Sequence, residues 1–79
     1  MEDARETTAV LLIAHGSRRE SANRDLRELA DRLAAQGRWR AVVASFLELA
    51  EPGIAAGGAL CAESGASRVL MVPYFLSAG

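Results

Sequence analysis

Seventy-nine residues make at most one small domain, and a chain of that length buries only about 60–65% of its unfolded surface, which leaves little stability in hand. A composition that is 51% hydrophobic and 24% charged belongs to a globular chain and excludes a low-complexity or disordered one. The formal net charge of −1 gives no electrostatic pull toward nucleic acid or an anionic membrane, and the lone Cys61 excludes an internal disulfide and a thiolate metal cluster.

Residues 1–7 are polar and are expected to be frayed. The start Met1-Glu2-Asp3 is acidic where a secretory signal is basic. The longest apolar run, Ala9 to Ala14, is far too short to span a bilayer, so a cytoplasmic, soluble protein is expected. Thr8 to Ala14 (TAVLLIA) is apolar without alternation, which suits a parallel strand covered on both faces. His15-Gly16-Ser17 breaks the run, and Ser17-Arg18-Arg19-Glu20 matches the S-x-x-E capping box, so a helix is expected to start there. Ala22, Leu26, Leu29, Ala30 and Leu33 recur at helical spacing as its apolar stripe. Arg24, Asp25, Arg27, Glu28, Asp31 and Arg32 read as its solvated face, and Gly37 is placed to end it.

Trp39 to Leu49 (WRAVVASFLEL) is β-prone and reads as a second strand. Pro52 fits the first position of a second helix, where its missing N–H costs nothing. Ile54, Gly58 and Cys61 form that helix's stripe, and Gly57-Gly58 suggests close packing on a sheet; it ends near Gly65. Ser67 to Val72 (SRVLMV) is a third strand stopped by Pro73, and Tyr74 to Gly79 is a loop. The order β-α-β-α-β with short connections predicts the α/β class, a parallel sheet flanked by helices. Three strands are thin for such a sheet, so residues 1–79 read as a single partial domain.

Ligands of open α/β sheets bind beyond the carboxyl ends of the strands. His15-Gly16-Ser17-Arg18, Glu48 and residues 73–79 all fall on that edge. His15, the only histidine, reads either as a metal ligand or proton acceptor or as a histidine bonded to a neighbouring loop. Ser17 reads first as a helix cap; without a G-x-S-x-G elbow a hydrolase is poorly supported. Glu48 interrupts apolar neighbours and is either solvated or functional, since unpaired burial would be costly. With His15 it makes half of a mixed nitrogen and oxygen site for a divalent metal. Arg18 and Arg19 are either solvated or meet substrate carboxylates. Tyr74, Phe75 and Leu76 either wall a pocket for a large planar ligand or pack beneath the loop. Neither G-x-x-x-x-G-K-[ST] nor G-x-G-x-x-G occurs, which disfavours nucleotide binding.

Three blocks carry a resemblance. Leu11 to Arg18 (LLIAHGSR) with the downstream Asn23, Phe46 to Pro52 (FLELAEP), and Val72 to Gly79 (VPYFLSAG) resemble, in order and spacing, the small sirohydrochlorin chelatases. The resemblance covers nearly the whole chain. It implies a flavodoxin-like (chelatase-like) three-layer sandwich, incomplete here. It also implies insertion of a divalent metal, cobalt or iron, into a tetrapyrrole on the routes to cobalamin or sirohaem, without a nucleotide. On that resemblance His15 binds the metal and helps remove the pyrrole protons, and Glu48 assists delivery or proton transfer. Ser17, Arg18, Tyr74, Phe75 and Ser77 are the expected substrate-binding residues. The family's second active-site histidine follows the block matching Ser77-Ala78-Gly79 and lies beyond this chain. Little chelatase activity is therefore expected of residues 1–79 alone, and a non-catalytic metal- or tetrapyrrole-binding fragment is the competing reading. The thin sheet, with an exposed third-strand edge, also favours a homo-oligomer.

Overall fold

The first apolar run forms strand β1, Thr8–Ala14, and lies in the middle of the molecule. In a computed structural model that describes residues 7–75, β1 pairs in parallel with β2 (Ala41–Phe46) on one side and with β3 (Arg68–Pro73) on the other. Helix α1 (Glu20–Ala35) connects β1 to β2, and α2 (Ile54–Glu63) connects β2 to β3. The chain steps from β1 outward to β2 and then back past β1 to β3. Crossovers of one hand must therefore lie on opposite faces, and the two helices do. The result is the β-α-β-α-β order and parallel sheet flanked by helices expected from the pattern, in the three layers that the resemblance implies.

The layers explain why β1 has no polar alternation. Val10 and Leu12 face α1 and pack with Leu26, Ala30, Ala44 and Phe46. Ala9, Leu11 and Ile13 face α2 and pack with Cys61. Both faces are thus buried, as continuous apolar strands require. Burial also pushes the Cys61 thiol up from its ordinary range, which keeps it protonated as a core residue. Ser45, fully buried on β2, donates its hydroxyl to the Leu12 carbonyl and so leaves no unpaired polar atom in the layer. Arg40 donates to the Ser64 carbonyl at the end of α2, where a cation complements the helix dipole.

Several boundaries differ from the sequence expectation, each for a stated bond. Helix α1 begins at Glu20 with Arg19 as an uncapped N-cap, because the Ser17 hydroxyl accepts the Arg19 N–H in a local turn and does not cap the helix. The buried stripe is Asn23, Leu26 and Ala30, with Leu29 and Leu33 at its margin; Ala22 is exposed. Arg27 is not merely solvated: it pairs with Glu20, donates to the Glu51 carbonyl and lies over the Phe46 ring, 5.3 Å from its centroid. Strand β2 is shorter than Trp39–Leu49, and residues 47–50 form a bend after it. Pro52 stands before the helix, not in it: its carbonyl accepts the Phe46 N–H, and α2 starts at Ile54 after the N-cap Gly53. Pro73 ends β3 from within. The expected fraying of residues 1–7 falls outside the described residues except at Thr7, whose carbonyl accepts the Ser67 N–H. Among the described residues no helix is long and apolar enough to cross a membrane.

Of the two glycines expected to bring α2 onto the sheet, only Gly57 does. A Cβ there would lie 2.9 Å from Leu11 Cδ1 and 3.0 Å from Ser45 Cβ, whereas one at Gly58 would meet nothing within 4 Å. Gly57→Val is therefore expected to destabilise by about 2 kcal/mol through overpacking. Gly58→Ala should stabilise by roughly 0.5–1 kcal/mol through helix propensity. Urea unfolding of the two variants checks the opposite signs.

Candidate active site at the carboxyl edge of the sheet

The three parallel strands end on one edge, and the segments after them meet there. Leu47 N–H donates to the Ala14 carbonyl and Glu48 N–H to the His15 carbonyl, so the turn after β2 continues the pairing beyond the strand ends. Tyr74 N–H donates to the Ile13 carbonyl and extends the β3 side in the same way. The loop after β1 is therefore held between its two neighbours. Gly16 makes this approach possible: its φ is +91°, and a Cβ there would lie 1.7 Å from the Glu48 carbonyl oxygen. No L side chain fits that gap.

Asn23 fixes the same loop from the helix. Its Oδ1 accepts the Ser17 N–H at 2.9 Å, and its Nδ2 donates to the Ser17 carbonyl at 2.8 Å. The buried amide thus satisfies both main-chain groups of a residue that has no strand to pair with. Asn23 also reaches Glu20, whose carboxyl is held below the usual carboxylate range by Arg27 first and by Asn23 second. The signal for Asn23 is visible in the sequence: it stands three residues before Leu26 and seven before Ala30, in the stripe that packs on the sheet.

His15 is exposed and stacks on Phe75, with centroids 4.5 Å apart and planes inclined by 28°. Beside them opens a cleft of about 740 Å³, bounded by residues 14–17 after β1, by Tyr74 and Phe75 after β3, and by Asn23, Asp25, Leu29 and Arg32 along α1. It lies between the ends of β1 and β3, on the carboxyl edge of the sheet, where open α/β sheets bind ligands. Of the residues singled out from the sequence, His15, Ser17, Tyr74 and Phe75 meet in this cleft. Glu48 is exposed on the β2 side of His15, joined to it through the main chain and outside the cleft wall, as is the exposed Arg18. Ser77 and Leu76 lie outside the described residues. Among the described residues no group of three His, Cys, Asp or Glu side chains is placed to hold a metal.

Two residues of this edge escape the sequence reading. Leu47 and Leu49, assigned there to a strand, are more than half exposed in the turn after β2. Leu49 adopts φ +66°, a conformation a branched side chain rarely takes. With Tyr74 and Phe75 they give the edge an apolar rim on both sides of His15.

A parallel three-layer unit with an imidazole and an open cleft at its strand ends defines the architectural class, an α/β sheet open at its carboxyl edge. Within that class the chain belongs to the CbiX family, whose model matches residues 9–79. It is 34% identical over 74 residues to the chloroplastic sirohydrochlorin ferrochelatase of Arabidopsis thaliana, covering 94% of this chain and 33% of that protein. It is also 34% identical over 71 residues to the sirohydrochlorin cobaltochelatase of Methanopyrus kandleri, covering 90% of this chain and 50% of that protein. A sirohydrochlorin cobaltochelatase of Priestia megaterium is 33% identical over 79 residues, 26% of its length. The chain spans half or less of the length of the curated relatives it matches.

Gly16→Ala is expected to lose about 3 kcal/mol, because it combines a disfavoured φ with a clash against main chain. Asn23→Asp, which replaces a donor with an acceptor facing the Ser17 carbonyl, should lose about 2 kcal/mol. Denaturant midpoints check both; unchanged midpoints would mean that the loop after β1 is not held as described.

Proposed function

We propose that the chain is a metal-inserting unit of sirohydrochlorin chelatase type, a partial chelatase domain over residues 1–79. In this reading His15 binds the incoming divalent metal and accepts protons, and Glu48 assists. What carries the reading is the position of His15: at the junction of the three strand ends, stacked on Phe75 beside an open cleft, in a chain of the CbiX family.

The chemistry asks for these groups. As a divalent metal enters the ring, two pyrrole N–H bonds break and two protons leave, so that charge balances. A neutral imidazole can hold the metal or take a proton, and a solvated carboxylate two residues beyond the end of β2 can take the other or offer an oxygen ligand. The apolar rim of Leu47, Leu49, Tyr74 and Phe75 suits the flat face of a macrocycle, and in this reading Ser17, Arg18 and Ser77 meet its carboxylates. Cobalt and iron both suit imidazole and carboxylate, and relatives bearing either metal in their names stand at similar identity.

A second reading, binding of metal or tetrapyrrole without turnover, is favoured by the absence, among the described residues, of a third ligand near His15. Cobalt(II) titration of wild type and His15→Ala, followed by NMR, tests the first element: the variant should bind at least about tenfold more weakly, and equal affinity would remove His15 as a ligand. Adding cobalt to the chain with sirohydrochlorin and recording the absorbance separates the two readings. Slow insertion that falls further in Glu48→Gln supports turnover, and ring binding with no insertion supports the second.

A further inference from the structure

The turn that carries Glu48 is held unevenly. Its base is closed by the Phe46 N–H, which donates to the Pro52 carbonyl, and its near limb is bonded to β1 and the loop after it through Leu47 and Glu48. The far limb starts at Leu49, with φ +66°, and ends at the exposed Glu51. A leucine leaves that left-handed conformation unless its surroundings hold it there. Among the described residues, one side chain bonds to residues 47–51: Arg27, whose Nη2 donates to the Glu51 carbonyl at 3.1 Å. Arg27 is itself fixed, since its Nη1 pairs with Glu20 and its guanidinium lies over the buried Phe46 ring. A planar fork can serve both oxygens at once. Glu20 also accepts from Asn23 Nδ2, and Asn23 holds both main-chain groups of Ser17. An unbroken line of bonds through Asn23, Glu20 and Arg27 thus runs across α1, from the loop that carries His15 to the turn that carries Glu48.

We propose that Arg27 is a positioning residue for Glu48: by anchoring the Glu51 carbonyl it holds Leu49 in the left-handed region and keeps the Glu48 N–H on the His15 carbonyl. Arg27 does not line the cleft, so its influence on chemistry there passes through Glu48. What Glu48 contributes to metal uptake rests on the function proposed for the chain. The anchoring of the turn does not, and two measurements keep the two apart.

Amide hydrogen exchange of the 79-residue chain, followed by NMR without metal, tests the anchor. Arg27→Met keeps an apolar stem over Phe46 and removes both bonds. It should speed exchange of the Glu48 amide at least about tenfold and leave the β1 amides within about twofold of wild type. Adding Leu49→Gly, which takes φ +66° without a Cβ to oppose it, should bring the Glu48 rate back to within about threefold of wild type. Unchanged Glu48 exchange in Arg27→Met, or no recovery on adding Leu49→Gly, would overturn the proposal. Loss of β1 protection in Arg27→Met would make the residue a general stabiliser and overturn it too. Cobalt(II) titration then asks whether Arg27 acts through Glu48. Arg27→Met should weaken binding as much as Glu48→Gln does, to within about twofold, and the double variant should be no weaker than either. Additive losses, or a loss in Arg27→Met where Glu48→Gln has none, would overturn the proposal. If neither variant changes cobalt binding, the role given to Glu48 falls, and the exchange rates alone decide for or against Arg27.

Discussion

The approach of Gly16 to the Glu48 carbonyl is the constraint on which the site depends. Parallel strands end side by side, but the chain must leave each of them in a different direction, and main chains that cross at van der Waals distance admit no side chain between them. Here the crossing is tightened by the bonds from Leu47 to Ala14 and from Glu48 to His15. The imidazole is therefore carried by a segment that neither neighbour allows to slide. Asn23 closes the third side by acting in place of a peptide group toward Ser17. Arg27, bonded to Glu20 and Glu51 and lying over Phe46, ties the start of α1 to the turn after β2. The first turn of a helix, one end of a strand and the loop between them form one bonded unit.

Much of this was legible in residue order. An uninterrupted run of apolar residues is buried on both faces or not at all, so TAVLLIA placed β1 at the centre, and the alternation of strands and helices placed the open edge. His15 and Tyr74-Phe75 stood out because they follow strands and break their patterns. What escaped was decided by tertiary bonds that leave weaker marks. Ser17 matched a capping box, but its hydroxyl accepts the Arg19 N–H in the turn, and Asn23 takes over its main chain. Pro52 suited a helix start on local grounds, yet its carbonyl was claimed by β2. Leu47 and Leu49 have strand propensity, and propensity alone does not reveal that the sheet has already ended.

The comparison with relatives sharpens the chemistry more than the architecture. Membership of the CbiX family is carried by residues 9–79, while the relatives extend well beyond the aligned portion. The elements this chain holds supply an imidazole, a nearby carboxylate and one apolar rim. In the proposed reading they approach a flat, acidic macrocycle from one side. That one-sidedness matches the geometry of the sheet, in which β2 and β1 share α1 as cover and β3 stands with both faces largely exposed.

The unequal cover of the strands has a consequence for motion. Amides of β1 are bonded or shielded on all sides, so their exchange with deuterated water should require global unfolding, whereas β3 can open by local fluctuations of much smaller free energy. The two aromatic partners at the strand ends belong to opposite extremes of that range: His15 follows the most protected strand and Phe75 the least protected one. The cleft between them accordingly has one fixed wall and one compliant wall. Any ligand entering it would meet a fixed imidazole side and a yielding aromatic side.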